Sequence, residues 1–191
     1  MASLRLFVAV SLSDEMKERL NTIVQKASTT PSGVKWVRPP HFHLTLAFLG
    51  NQEEGLLSSL FNLFQSAAKG IPIFRLKFGG LGGFPTLNRP KVLFVPVQDG
   101  QEPLKSLAGQ IIKNLRQGKV HFDEKEFHGH VTIGRVKTSQ GLSETIEMLR
   151  ANLPPDLGTI DVDRFLLFKS QLTSEGPIYQ ALKEFPLAGV S

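Results

Sequence analysis

The chain has 191 residues, 41% of them hydrophobic and 20% charged, with no cysteine and a formal net charge of +5. That composition fits one globular domain with a substantial core, and it excludes a disordered chain, a disulfide scaffold, thiolate catalysis and a zinc site built on sulfur. No apolar run reaches the roughly 18–20 residues that span a bilayer, and the basic balance, with a pI near 9.6, suits a polyanionic partner.

Short strands alternate with amphipathic helices along the chain. Residues 4–10 read as a first strand. The run is too short for a secretory signal and soon meets Asp14 and Glu15, which fits an intracellular, cytoplasmic protein. Ser13 then caps a helix whose first turn carries those two acids, with Met16, Leu20, Ile23, Val24 and Ala27 at helical spacing. Residues 34–37 and 43–49 read as strands, and Leu56, Leu57, Leu60, Leu63, Phe64 and Ala67 mark a second helix. Residues 74–78 and 91–97 look like paired strands. The Gly79-Gly80-Leu81-Gly82-Gly83 cluster between them lacks the spacing of a phosphate-binding loop and reads as turn and bulge. A third helix holds Leu104, Leu107, Ala108, Ile111, Ile112 and Leu115. A strand over 130–136, a fourth helix with Leu142, Ile146 and Leu149, and strands near 160–168 and 177–185 complete the chain.

One four-residue phrase occurs twice, as His43-Leu44-Thr45-Leu46 and as His130-Val131-Thr132-Ile133. Residues i and i+2 of a strand share a face, so each copy presents an imidazole beside a hydroxyl, with two apolar side chains anchoring the opposite face. From composition alone, two such matches among five histidines arise about once in a thousand sequences. The copies lie 87 residues apart, nearly half the chain. That spacing predicts an α+β fold with two similar lobes of antiparallel sheet and outer helices. The lobes would be related by a pseudo-two-fold axis around a central cleft and form a single domain over 1–191.

Two imidazoles facing one cleft can divide acid and base roles, because a histidine with an ordinary pKa of about 6.5 offers both protonation states near neutrality. Two threonine hydroxyls can donate to the non-bridging oxygens of a phosphodiester as charge builds there. Such a scheme requires no metal and no other cofactor. The residues alone leave open which histidine gives a proton and which takes one.

The chain resembles the two-histidine phosphoesterase superfamily, and within it the LigT/ThpR-like RNA 2′,3′-cyclic phosphodiesterases, also described as 2′-5′ RNA ligases. Three blocks carry the resemblance: Lys35-Trp36-Val37-Arg38-Pro39 through the first phrase to Phe48-Leu49-Gly50, Phe127-His128-Gly129-His130 through Arg135, and Ser170-Gln171-Leu172 with Gly176-Pro177-Ile178-Tyr179. Gly129 departs from the pattern, since relatives often have proline there. The resemblance implies hydrolysis of an RNA 2′,3′-cyclic phosphate end to a 2′-phosphate, and the chain is expected to act as a monomer. On that pattern His43 is the proton donor, His130 the proton acceptor, and Thr45, Thr132 and Arg135 bind the phosphate.

Arg135 raises a difficulty, because five residues from His130 strict alternation points it to the wrong face, and a bulge near Gly134 would be needed to return it. His41 and His128 form His-x-His pairs with the phrases, a spacing also used by metal clamps, but no carboxylate cluster accompanies them. Trp36 and Phe7 read as packing residues, whereas Tyr179 reads equally well as packing or base stacking. Lys35, Arg38, Arg89, Lys91 and Lys137 would track an RNA backbone if they rim the cleft; each alone reads as a solvated charge. The alternative functions are a two-histidine enzyme for 2′-5′ linkages or small cyclic nucleotides, and a non-catalytic RNA-binding module.

Overall fold

The computed structural model describes residues 2–188. Two antiparallel sheets form its frame, built from β1 (Ser3–Ser11), β2 (Val34–Trp36), β3 (His43–Glu53), β4 (Phe74–Phe78), β5 (Gly82–Phe84), β6 (Val92–Asp99), β7 (His130–Val136), β8 (Gly158–Val162), β9 (Arg164–Thr173) and β10 (Gly176–Pro186). Four helices accompany them: α1 (Asp14–Ser28), α2 (Leu57–Ala68), α3 (Gln101–Gln117) and α4 (Leu142–Asn152). The first sheet runs β10-β9-β1-β3 and the second β2-β7-β6-β4-β8, with β5 pairing β6. The α+β class and the two similar lobes therefore match expectation.

The topology is a mutual exchange. Strand β4, from the first half, joins β6 and β8 of the second sheet, and β9, from the second half, lies beside β1 of the first. The helices cross over in the same way. Helix α1 leaves the first sheet to pack on α4 and β8, while α3 leaves the second to pack on α2 and β3. The local sequence chemistry explains the start of α1. The Ser13 hydroxyl accepts from the Met16 amide at 3.2 Å, Asp14 and Glu15 occupy the positive end of α1, and its apolar face is buried as the spacing predicts. No helix among the described residues is long and apolar enough to cross a membrane.

Three expectations need correction. The strand expected over 160–168 is two strands in different sheets, broken at Asp163. Burial alternates through Ile160 and Val162, then runs unbroken from Phe165 to Leu167, so the two segments do not share one half-buried face. The glycine cluster is more than turn and bulge, because Gly82 and Gly83 open strand β5 against Phe94 and Leu93. A Cβ on Gly82 would run into the Phe94 ring, so the missing side chain is what lets that ring lie flat on β5. Leu56 sits in a short 3-10 turn before α2 and is exposed rather than on the helix's buried side.

Candidate active site

The two phrases occupy equivalent places in the two sheets. His43 opens β3 opposite Ser11 of β1, and His130 opens β7 opposite Pro96 of β6, while β3 and β7 lie against each other. Leu44 and Leu46, like Val131 and Ile133, are buried, and the intervening His and Thr side chains are half-buried. Alternation thus places both His/Thr pairs on the cleft face.

Each ring is fixed in the same way. His43 Nδ1 donates to the His41 carbonyl at 2.6 Å, and His130 Nδ1 donates to the His128 carbonyl at 2.6 Å. With Nδ1 so engaged, Nε2 is the nitrogen left to take or give a proton. His41 and His128 therefore contribute to this site through their main chain. Their rings lie to the side, with His41 against Tyr179 at 4.6 Å between centroids and His128 at 3.6 Å from Glu126. Among the described residues, no group of three or more His, Asp or Glu side chains is placed to hold a metal ion.

Aromatic walls hold both imidazoles. Phe7 lies 5.0 Å from the His43 ring and Tyr179 meets it edge-on at 5.5 Å, with Phe168 stacked behind Phe7 at 5.1 Å. Phe84 and Phe94 meet the His130 ring edge-on at 4.9 and 5.1 Å and stack on each other at 4.2 Å. Burial against these rings pushes both histidines below their ordinary pKa. His43 falls to about 4 because desolvation, with help from the charges of His41, His130 and Arg135, outweighs the carbonyl hydrogen bond. His130 is lowered by the same causes, desolvation first and then His128 and Arg135, against its own carbonyl hydrogen bond. Arg135 thus acts on both rings.

Its position there depends on a register shift. Strand β7 pairs Thr132 with Phe94 and Gly134 with Leu93, so Ile133 is an extra residue without a partner. Such a bulge inverts the alternation, leaving Ile133 and Gly134 buried in succession and Arg135 exposed on the side of His130 and Thr132. Gly134 also makes room for Trp36, whose ring a Cβ there would meet at 3.2 Å. Trp36 is accordingly a packing residue.

Strand β3 carries the same shift. Ala9 pairs with Thr45 and Val8 with Ala47, skipping Leu46, and the residue returned to the cleft is Phe48. Phe48 is 48% exposed and lies 6.1 Å from Phe7. Sequence reading missed it, although the signal was available: Phe48 follows His43 by the same five residues that separate Arg135 from His130. Phe84, Phe94 and Phe168 were also missed, since each is an ordinary strand aromatic until the topology brings it to a histidine.

The LigT like phosphoesterase family model matches residues 10–94 and again residues 95–179. This chain belongs to that family. The two matched segments correspond to the two halves seen in the fold. An RNA 2′,3′-cyclic phosphodiesterase from Aquifex aeolicus is 37% identical over 191 residues, covering 99% of this chain and all of the relative. One from Archaeoglobus fulgidus is 34% identical, covering 95% and 99%. The crystal structure of a Thermus thermophilus protein superposes with a TM-score of 0.80 at 29% identity, covering 97% of this chain and 99% of that one. Escherichia coli LigT complexed with 3′-AMP shares the fold, with a TM-score of 0.77 at 24% identity over 97% of this chain and 99% of LigT.

Proposed function

We propose that this chain hydrolyses the 2′,3′-cyclic phosphate at an RNA 3′ end to a 2′-phosphate, acting as a monomer, with both imidazoles supplied by one chain. The observation that carries the reading is the pair of histidines, each with Nδ1 tied to a main-chain carbonyl and Nε2 left for the cleft. The names of the relatives support the substrate. Of the two proton assignments we adopt the one the family resemblance implies. Water attacks phosphorus in line with the P–O3′ bond, and its proton passes to Nε2 of His130. As P–O3′ breaks, Nε2 of His43 protonates the departing O3′, leaving a 3′-hydroxyl and a 2′-phosphate. Thr45, Thr132 and Arg135 donate to the non-bridging oxygens, where charge accumulates.

The depressed pKa of His43 fits this role once substrate is bound. In the free protein both rings are held towards neutrality, and a phosphate anion between them reverses the electrostatics by favouring imidazolium. Binding then loads the acid with its proton. A pure binding module gains nothing from two imidazoles so prepared. The test incubates an oligoribonucleotide ending in a 2′,3′-cyclic phosphate with the protein in excess chelator and identifies the product. A 2′-phosphate is expected. No product removes the hydrolytic reading, and a 3′-phosphate reverses the assigned regiochemistry.

A further inference from the structure

Arg135 belongs to two features at once. It faces the paired histidines, and it lines a cavity of about 700 Å³ between the loop before β6 and the turn leading into α4, whose lining includes neither histidine. Arg89, Lys91 and Lys137 line the same groove, all exposed, together with Ser139 and Leu142. Lys35 stands beside it, since β2 pairs Lys35 directly with Arg135. Like charges directly opposite on neighbouring strands are destabilising, so this arrangement is costly without an anion over it.

The surroundings offer no internal anion. Among the described residues, cations elsewhere pair with carboxylates, including Arg19 with Glu15, Arg75 with Asp161, Lys77 with Asp156 and Arg116 with Glu124. None of Lys35, Arg89, Lys91, Arg135 and Lys137 forms an ion pair there. The sequence shows why: no Asp or Glu occurs from 19 to 52, from 55 to 98 or from 127 to 143. Those three windows hold both phrases and every one of these cations. Helix α4 adds to the effect, for its N-cap, Gly141, supplies no side-chain cap, and its first residue, Leu142, faces the groove. The nearest acid on that helix is Glu144 in its first turn.

We propose that this groove carries the phosphates on the 5′ side of the reacting end, making the preferred substrate a single-stranded oligonucleotide rather than a mononucleotide. The inference rests on the function proposed above and adds a direction: the strand leaves the histidines past Arg135 and runs along Lys91, Arg89 and Lys137. Extent supports this. At about 3.3 Å per strand residue, the path from His130 to Lys137 exceeds what one cyclic phosphate spans. The opposite wall argues for a single strand, because exposed Phe48 offers a stacking face to an unpaired base, and a charged groove with an aromatic platform is how unpaired strands are held.

The test compares kcat/KM for a mononucleoside 2′,3′-cyclic phosphate and for a single-stranded hexanucleotide with the same end. In parallel it measures how binding of a hexanucleotide bearing a 2′-phosphate depends on salt. Wild type is expected to favour the hexanucleotide at least about tenfold at low salt. R89Q/K91Q/K137Q loses that preference, and its log-affinity slope against log salt becomes shallower by about 2, near 0.7 for each phosphate left without its cation. The variant K26Q/K69Q/K113Q, with the same change in net charge on exposed positions elsewhere, keeps both. Equal preference for the two substrates, or equal effects of the two triple variants, overturns the groove. A duplex bound as tightly as the single strand overturns the single-stranded path. Absence of hydrolysis of either substrate instead defeats the function proposed above, and the salt slopes still report on the groove.

Discussion

The two lobes repeat each other down to a misfit in their strands, and they then use it differently. Both β3 and β7 carry an unpaired residue directly after the threonine, β3 having a second at Leu49, and the first shift brings the fifth residue after the histidine back into the cleft in each. In the second lobe that residue is Arg135, which faces the rings and the cationic groove; in the first it is Phe48, apolar and half out in solvent. The walls differ too, since a tyrosine ring, Tyr179, meets His43 where the rings edge-on to His130 among the described residues are Phe84 and Phe94. A symmetric frame thus delivers two equivalent imidazoles and two unlike neighbours, one cationic and one aromatic.

The largest effect should come from breaking what the lobes share. H43A and H130A are each expected to lower kcat by about 10²–10⁴-fold, the range for losing a proton-transfer group, in single-turnover assays on protein whose melting confirms folding. Near-wild-type turnover by either variant would confine the equivalence to structure. The next pair separates what the lobes do not share. R135Q is expected to lower kcat/KM by about 10–100-fold, as for removal of a charge-assisted hydrogen bond. It should also move the pH profile of kcat/KM upward, because Arg135 depresses both histidines. F48A should raise KM for an oligonucleotide by about tenfold, as for removal of a stacking ring, with the pH profile in place. Identical behaviour of the two variants would show that the bulges serve one purpose.

The smallest effect concerns stability. His43 binds its proton near pH 4 in the folded chain and near the ordinary 6.5 when unfolded. Between those values the unfolded chain holds more protons, so stability is complete above about pH 6.5 and declines as pH falls towards 4. At 1.36 kcal/mol per pH unit the decline is at most about 3 kcal/mol. Denaturant titrations from pH 7 to 4 should show a shallower decline in H43A than in wild type. An unchanged slope would mean that His43 is not the desolvated group.

Much of this was legible in the residues. The twice-written phrase marked both His/Thr pairs because strand alternation is strict over three residues, and the start of α1 was readable because Ser13, Asp14 and Glu15 act locally. Legibility failed where register mattered. The Arg135 difficulty named the need for a bulge, but the matching one in β3 passed unseen, since nothing chemical stood out about a phenylalanine after Ala47. The break at Asp163 and the strand at Gly82 both depend on which neighbour a segment finds, and a segment's own composition does not carry that. The carbonyls of His41 and His128 were invisible for a related reason: main-chain groups have no residue identity.

The exchange of β4 and β9 between the sheets bears on how the chain comes apart. Neither half retains a finished sheet without a strand lent by the other, so a fragment ending near residue 94 would expose the β1 edge that β9 covers and the β4 edges that β6 and β8 cover. The halves are therefore laced rather than hinged. The gap between the two imidazoles is set by the whole lattice of paired strands, and loosening it means loosening the entire molecule in one cooperative event.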